Sequence, residues 1–92
     1  MTHDWQALTN DFVDLLLAGQ EAPAIERTRS ALEQGASPQD FFQFVITPAL
    51  EEIGRRFEEL EIFLPELAIS GETVQAISET VINPALAIAS QE

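Results

Sequence analysis

The sequence contains no cysteine, and its single histidine is His3, close to the N-terminus. Without cysteine the chain has no disulfide, no thiolate nucleophile and no sulfur ligand for a metal. Di-iron helical bundles need Glu-x-x-His pairs, and no such pair is present. The serines and threonines have no histidine base nearby, and the four glycines stand apart and form no phosphate-binding loop. We therefore predict no catalytic residues and no metal site, so the chain is not expected to be an enzyme by itself.

Basic residues are also scarce: the sequence has 16 acidic and four basic residues, and the formal net charge is −12. Phosphate contacts need clustered cations, so this balance argues against nucleic acid and against anionic membranes as partners. No apolar stretch reaches the roughly 20 residues that span a bilayer, and the start "MTHDW" is not a signal peptide. These features predict a soluble, cytoplasmic protein with an acidic, solvated surface.

What is present is helical. The apolar fraction of 46% is that of a folded domain, and 92 residues are enough for one domain, predicted to span 1–92. Apolar residues recur every three or four positions, as in Trp5, Leu8, Phe12, Leu15 and Leu16, and no segment alternates over strand length. Four such segments joined by short loops predict an all-α fold, a four-helix bundle. No internal repeat is evident.

Glycines, prolines and charged pairs mark the helix ends. Gly19 and Gly35 are placed to end the first two helices, and Ser37 to cap the third. Pro48 predicts that the third helix is kinked or broken near this residue, and Leu64-Pro65-Glu66 starts the last helix. The spacing also predicts ion pairs from Glu51 to Arg55 and from Glu52 to Arg56. Small residues recur every seven positions on the last helix, at Gly71, Ser78 and Ala85.

The joint between the third and fourth helices is unexpectedly apolar. Ile62, Phe63 and Leu64 stand together just before Pro65, although a surface turn normally carries polar residues. Two interpretations remain open from the residues alone. The side chains close the end of the bundle, or some of them face outward and form a binding surface.

The stretch "GRRFEELEIFLPEL" (54–67) resembles the N-terminal helical domain of cobalamin-binding corrinoid proteins, the module that precedes a Rossmann-like B12-binding domain. That family reads Gly-x-x-Phe-x-x-Gly-x-x-Phe-Leu-Pro-x-Leu. The matching residues here are Gly54, Phe57, Phe63, Leu64, Pro65 and Leu67. Upstream, Gly35, Pro38, Pro48 and the Glu51-Glu52 pair also resemble the family, and the likeness runs from Ala18 to Ala87.

The resemblance implies a cap that lies over the upper face of a cobalamin and shields its cobalt–carbon bond in methyl transfer. By register, it assigns cofactor contact to Phe57 and Leu64, which are expected to face outward, while Phe63 is expected to plug the core. The family's Asp-x-His-x-x-Gly motif, which supplies the lower cobalt ligand, is absent from these 92 residues. The corrinoid would thus be held by a downstream or separate B12-binding domain, and this chain alone would not bind it tightly.

One position departs from the family pattern. Leu60 stands where the family has glycine, which predicts a different turn or a longer third helix. The alternative function is an interaction or regulatory module derived from the cap, a homodimer or the partner of a signalling protein. In that case the apolar joint and the small-residue positions on the last helix would supply the contact.

Overall fold

The protein is a bundle of four helices. A computed structural model describes the backbone of residues 5–90 and the side chains of residues 5–87; His3 lies outside this range. We number the helices α1 (Trp5–Leu17), α2 (Glu21–Glu33), α3 (38–58) and α4 (64–90). Within the described residues there is no strand, so the predicted all-α four-helix bundle is confirmed. The single domain over 1–92 stays a prediction.

The two long helices each contain a π turn. Helix α3 consists of Pro38–Phe41, the π turn Phe42–Ile46 and Thr47–Glu58, and α4 consists of Leu64–Ile77, the π turn Ser78–Ile82 and Asn83–Ser90. Each π turn ends two residues before a proline. The last N–H before the proline bonds the carbonyl five residues back, from Thr47 to Phe42 and from Asn83 to Ser78. The wider turn relieves the clash between the proline ring and the preceding turn. The predicted kink near Pro48 is confirmed.

These π turns reveal an internal repeat that the sequence reading missed. Val45 to Leu50 reads "VITPAL" and Val81 to Leu86 reads "VINPAL", so each helix carries the same six-residue pattern at the same local distortion. Thr9 of α1 supports the first copy. Its hydroxyl lies between two carbonyl oxygens, that of Trp5 at 2.8 Å and that of Phe44 at 3.1 Å. Pro48, which has no N–H, leaves the Phe44 carbonyl without its α-helical donor.

The core lies between all four helices. Helix α1 packs against α2, the second half of α3 and the first half of α4, while α2 packs against α4. Phe12 and Phe41 meet edge to face with ring centroids 5.4 Å apart, a favoured aromatic geometry. The residues with no exposed surface are mostly aliphatic or aromatic: Phe12, Leu16, Ala24, Phe41, Val45, Ile46, Ala49, Ile53 and Ile77. Buried Thr28, Ser70 and Thr73 each donate a hydroxyl hydrogen bond to the carbonyl four residues back.

Several helix ends follow the sequence predictions. Ser37 Oγ accepts the Asp40 N–H at 3.0 Å, which caps α3. Gly19 and Gly35 take positive φ angles just after α1 and α2. A Cβ at Gly71 would meet no atom of the described residues within 4 Å, so none of the described helices packs closely against that glycine. No helix among the described residues combines the length and apolar character needed to cross a membrane.

Candidate functional site

The joint between α3 and α4 is a short turn with a defined hydrogen-bond pattern. The Leu60 N–H bonds the Phe57 carbonyl at 3.1 Å, and the Glu61 N–H bonds the Arg56 carbonyl at 2.8 Å. This pair of bonds is the Schellman motif, which requires a left-handed residue after the helix. Leu60 supplies it with φ 63°. The predicted longer third helix is therefore wrong: α3 ends at Glu58, and leucine adopts the conformation that glycine would favour.

Ile62, and not Phe63, closes the core at this joint. Ile62 is 5% exposed, whereas Phe63 and Leu64 are each 65% exposed and Leu60 is 76% exposed. The prediction that Phe63 plugs the core is therefore wrong. Phe63 is the N-cap of α4 with extended backbone, φ −116° and ψ 173°, and this geometry turns its side chain away from the buried Ile62. We call Leu60, Phe63 and Leu64 the turn patch.

The two residues predicted to contact the cofactor have different surroundings. Leu64, in the turn patch, is open to solvent, as expected. Phe57, in the last turn of α3, is half-buried and packs against the core. Phe57 therefore presents only part of its ring to solvent, and the sequence reading placed it too far outward. Their contact with a cofactor stays a prediction.

Ion pairs hold the turn from the α3 side. The guanidinium of Arg55 contacts Glu52 at 2.7 Å, Glu59, and Glu61 at 3.4 Å across the turn. Arg56 pairs with Glu52 at 2.8 Å, as the spacing predicted, whereas Arg55 pairs with Glu52 and not with Glu51. Hydrogen bonds from Arg55 and then Arg56 lower the pKa of Glu52 to about 2. The carboxylate therefore stays charged at pH values below 4.5, where an ordinary glutamate becomes protonated, and the network persists into acidic solution.

The start of α4 fixes the other side of the turn. Pro65 occupies the first turn of the helix, where its missing N–H has no intrahelical partner to lose. The Glu66 carboxylate accepts the Phe63 N–H at 3.1 Å and so ties the first turn to its N-cap. The turn patch is thus carried on a backbone that is hydrogen-bonded on both sides, and its apolar side chains are presented from a defined geometry.

The turn patch is an open surface. Two grooves lie elsewhere: one of about 690 Å³ is lined by Trp5, Phe44 and Arg56, and one of about 430 Å³ by Phe42 and Ile82, among others. Neither is lined by Phe57 or by the turn patch. An exposed apolar surface of this kind suits contact with a flat or convex object.

The side chains of the turn patch can cover another surface but carry no reactive group. They are hydrocarbon and carry no donor, acceptor or metal ligand. Across residues 5–87, no three or more His, Cys, Asp or Glu side chains come together in a way that would hold a metal ion. The residues thus fit the alkyl-bearing upper face of a corrinoid and do not supply a ligand to its cobalt.

Comparison with known proteins decides the family. The family model for the B12 binding domain matches residues 8–82, most of the chain. The chain belongs to this B12-binding family, as its helical cap domain. The resemblance seen in the sequence is thereby confirmed.

Curated relatives agree with this assignment. The chain is 34% identical over 85 residues to monomethylamine corrinoid protein 2 of Methanosarcina mazei and 35% identical over 79 residues to monomethylamine corrinoid protein 1 of the same organism. It is 32% identical over 85 residues to monomethylamine corrinoid protein 2 of Methanosarcina acetivorans. These matches cover 92%, 86% and 92% of this chain but only 37%, 34% and 37% of the relatives. No solved structure matches the chain.

Proposed function

We propose that this cap domain lies over the upper face of a corrinoid that a downstream or separate B12-binding domain holds. The observation that carries the proposal is the turn patch, an exposed hydrocarbon surface on a hydrogen-bonded turn in a member of the B12-binding family. Leu64 and the exposed part of Phe57 are the side chains that press against the upper ligand of cobalt. The corrinoid, when bound, supplies the cobalt that carries a methyl group.

The physical reason for a hydrocarbon cover is the exclusion of water. A polar atom above the cobalt would act as a ligand or would hydrogen-bond to water and admit it to the reactive bond. Leucine and phenylalanine have no lone pairs and cannot do either, so they shield the site without reacting. The chain contributes shielding and packing, and we propose that it catalyses nothing by itself. Because it offers cobalt no ligand, it should bind free cobalamin weakly.

The relatives suggest which reaction the cap serves. Three of them are named monomethylamine corrinoid proteins. We propose by this similarity that the cap works in methyl transfer from a methylated amine, next to a B12-binding domain and a methyltransferase. The cytoplasmic location expected from the sequence stays a prediction.

The test uses a chimera in which this chain replaces the matching 85-residue segment of monomethylamine corrinoid protein 2 of M. mazei. The chimera is loaded with methylcobalamin, and the rate of photolysis is followed by visible spectroscopy. We expect photolysis to be slower in the chimera than in the relative without that segment. Leu64→Ala should speed photolysis roughly threefold, because it removes apolar cover next to the reactive bond.

The matched control is Phe42→Ala. Phe42 is also an exposed apolar residue of α3, at 37%, but it lies roughly 20 Å from Phe57 along the helix axis. It should leave photolysis unchanged. Circular dichroism of every variant checks that the helices are intact. Equal photolysis in the chimera and in the relative without the segment would rule out the cap function.

The homodimer named as the alternative function is tested separately. Sedimentation of the 92-residue chain measures its oligomeric state, and Leu64→Ala serves as the comparison. A dimer that dissociates on this substitution would show that Leu64 lies in a protein interface, where it cannot also cover a cofactor. A monomer leaves the turn patch free, as the cap function needs.

A further inference from the structure

Three helices of this chain end in the same backbone turn. In each, one residue in the left-handed conformation bonds the carbonyl three residues back, and the next N–H bonds the carbonyl five residues back, at 2.8 to 3.2 Å. The left-handed residues are Gly19 after α1 (φ 67°), Gly35 after α2 (φ 107°) and Leu60 after α3 (φ 63°). The same turn is thus formed twice by glycine and once by leucine.

Leucine is the costly solution. Its Cβ approaches the following carbonyl oxygen when φ is positive, a contact that glycine avoids. Leu60 is the one non-glycine residue with positive φ among the described residues. Burial does not offset this strain, because the side chain is 76% exposed. The fold of the isolated domain therefore gains little from having leucine at this position.

The residues around Leu60 show that neither the core nor the turn needs leucine at this position. Ile62, two residues later, already closes the core beneath the turn and is 5% exposed. The Schellman turn would form with glycine, as it does after α1 and α2. What leucine adds is a third exposed apolar side chain on the same short turn, three and four residues before the exposed Phe63 and Leu64. Backbone strain at an exposed residue indicates that the side chain has a function outside the isolated fold, here when the cap lies over a corrinoid.

We infer that Leu60 is a third covering residue of the cap, which extends the apolar surface of Leu64 toward the edge of the corrinoid's upper face. This inference rests on the proposed function. A corrin ring is much wider than the methyl group at its centre, so water reaching the cobalt must pass beneath the edge of the cap. Leu60 narrows that path, and it does so at the expense of the stability of the turn.

The test compares Leu60→Gly and Leu60→Ala in the methylcobalamin-loaded chimera and in the 92-residue chain. Both variants remove the isopropyl part of the leucine side chain and should speed photolysis about twofold to threefold in the chimera. Their effects on the 92-residue chain should differ. Leu60→Gly relieves the backbone strain and should raise its Tm by about 4 °C, whereas Leu60→Ala keeps the strain and should change it little.

Gly35→Ala is the matched control, because it adds backbone strain to a turn without changing the apolar side chains of the turn patch. It places a Cβ in the same type of turn at the other end of α3, where no atom lies within 4 Å of the added carbon. It should lower the Tm by about 4 °C and leave photolysis unchanged. Together, the variants separate the effect of the turn's stability from the effect of the leucine side chain.

Two results would overturn the role of Leu60. A fall in Tm for Leu60→Gly would show that leucine stabilises the fold. Unchanged photolysis in both Leu60 variants, with faster photolysis in Leu64→Ala, would show that the cap works without Leu60. If Leu64→Ala is also without effect, the proposed function fails and the inference fails with it.

Discussion

Two regions of the pair formed by α3 and α4 use apolar residues in opposite ways. Within the helices, the VITPAL and VINPAL copies bury Val45, Ile46, Val81 and Ile82, none more than 7% exposed. At the joint between the helices, the turn patch leaves three apolar side chains at 65% exposure or more. Both regions are rich in apolar residues, so composition alone does not separate them. The buried region stabilises the bundle, and the exposed region presents a surface.

Substitution of two phenylalanines should give the largest difference in the free energy of unfolding between these two regions. Phe41, next to the first copy, has no exposed surface, whereas Phe63 in the turn patch is 65% exposed. Phe41→Ala should lower the free energy of unfolding by about 3 to 5 kcal/mol, since it removes a ring from the core and leaves a cavity. Phe63→Ala should lower it by less than about 1 kcal/mol. Urea denaturation followed by circular dichroism measures both losses. Similar losses would contradict the view that one region stabilises the bundle and the other only presents a surface.

An intermediate effect is expected at the hydrogen bond that supports the first copy. Thr9→Val keeps the shape of the side chain but removes the hydroxyl that lies 2.8 Å from the Trp5 carbonyl of its own helix and 3.1 Å from the Phe44 carbonyl of α3. The loss should be about 1 kcal/mol in the free energy of unfolding, because that carbonyl lacks its helical donor. Thr28→Val is the control: its hydroxyl bonds only the Ala24 carbonyl of its own helix, so a smaller loss is expected. Equal losses would contradict the role given to Thr9.

The smallest effect concerns the ion pairs that hold the exposed region. The pKa of Glu52 falls from 4.5 to about 2 on folding, so its contribution to stability is present above pH 4.5 and is lost as the pH falls toward 2. Glu52→Gln should therefore flatten the decline of the urea midpoint between these pH values. The effect is small because the pair is exposed and screened by salt.

A control variant accompanies that pH measurement. Glu72→Gln changes the net charge equally but removes no ion pair formed by the described residues. If Glu52→Gln and Glu72→Gln alter the pH profile to the same extent, net charge and not the arginine network sets the acid sensitivity. Added salt should reduce the difference between Glu52→Gln and the wild type.

The helix ends could be predicted because their chemistry is local. Serine at position 37 caps the helix that follows it, glycines 19 and 35 take left-handed conformations, and Pro65 starts the last helix. Pro48 marked the distortion of α3 for the same reason, since a proline affects the turn that contains it. Each of these predictions depends on residues within four positions of one another.

The direction of side chains at the joint was not predictable in the same way. Ile62 and Phe63 are neighbours of similar character, and the sequence reading chose the wrong one as the core plug. Which of them points inward depends on the angle at which α4 leaves the turn, and that angle is set by packing against α1 and α2. The partners of Arg55 were missed for a related reason: Glu61 reaches it only because the turn folds back.

By itself, the sequence determined that this protein is an all-α bundle of the corrinoid cap family, because helical periodicity, capping residues and a contiguous motif are all written locally. The tertiary structure alone decided that Ile62 closes the core, that Phe57 is half-buried and that Phe63 is exposed. Those outcomes depend on how four helices pack together, and contacts between residues distant in sequence leave no local signal.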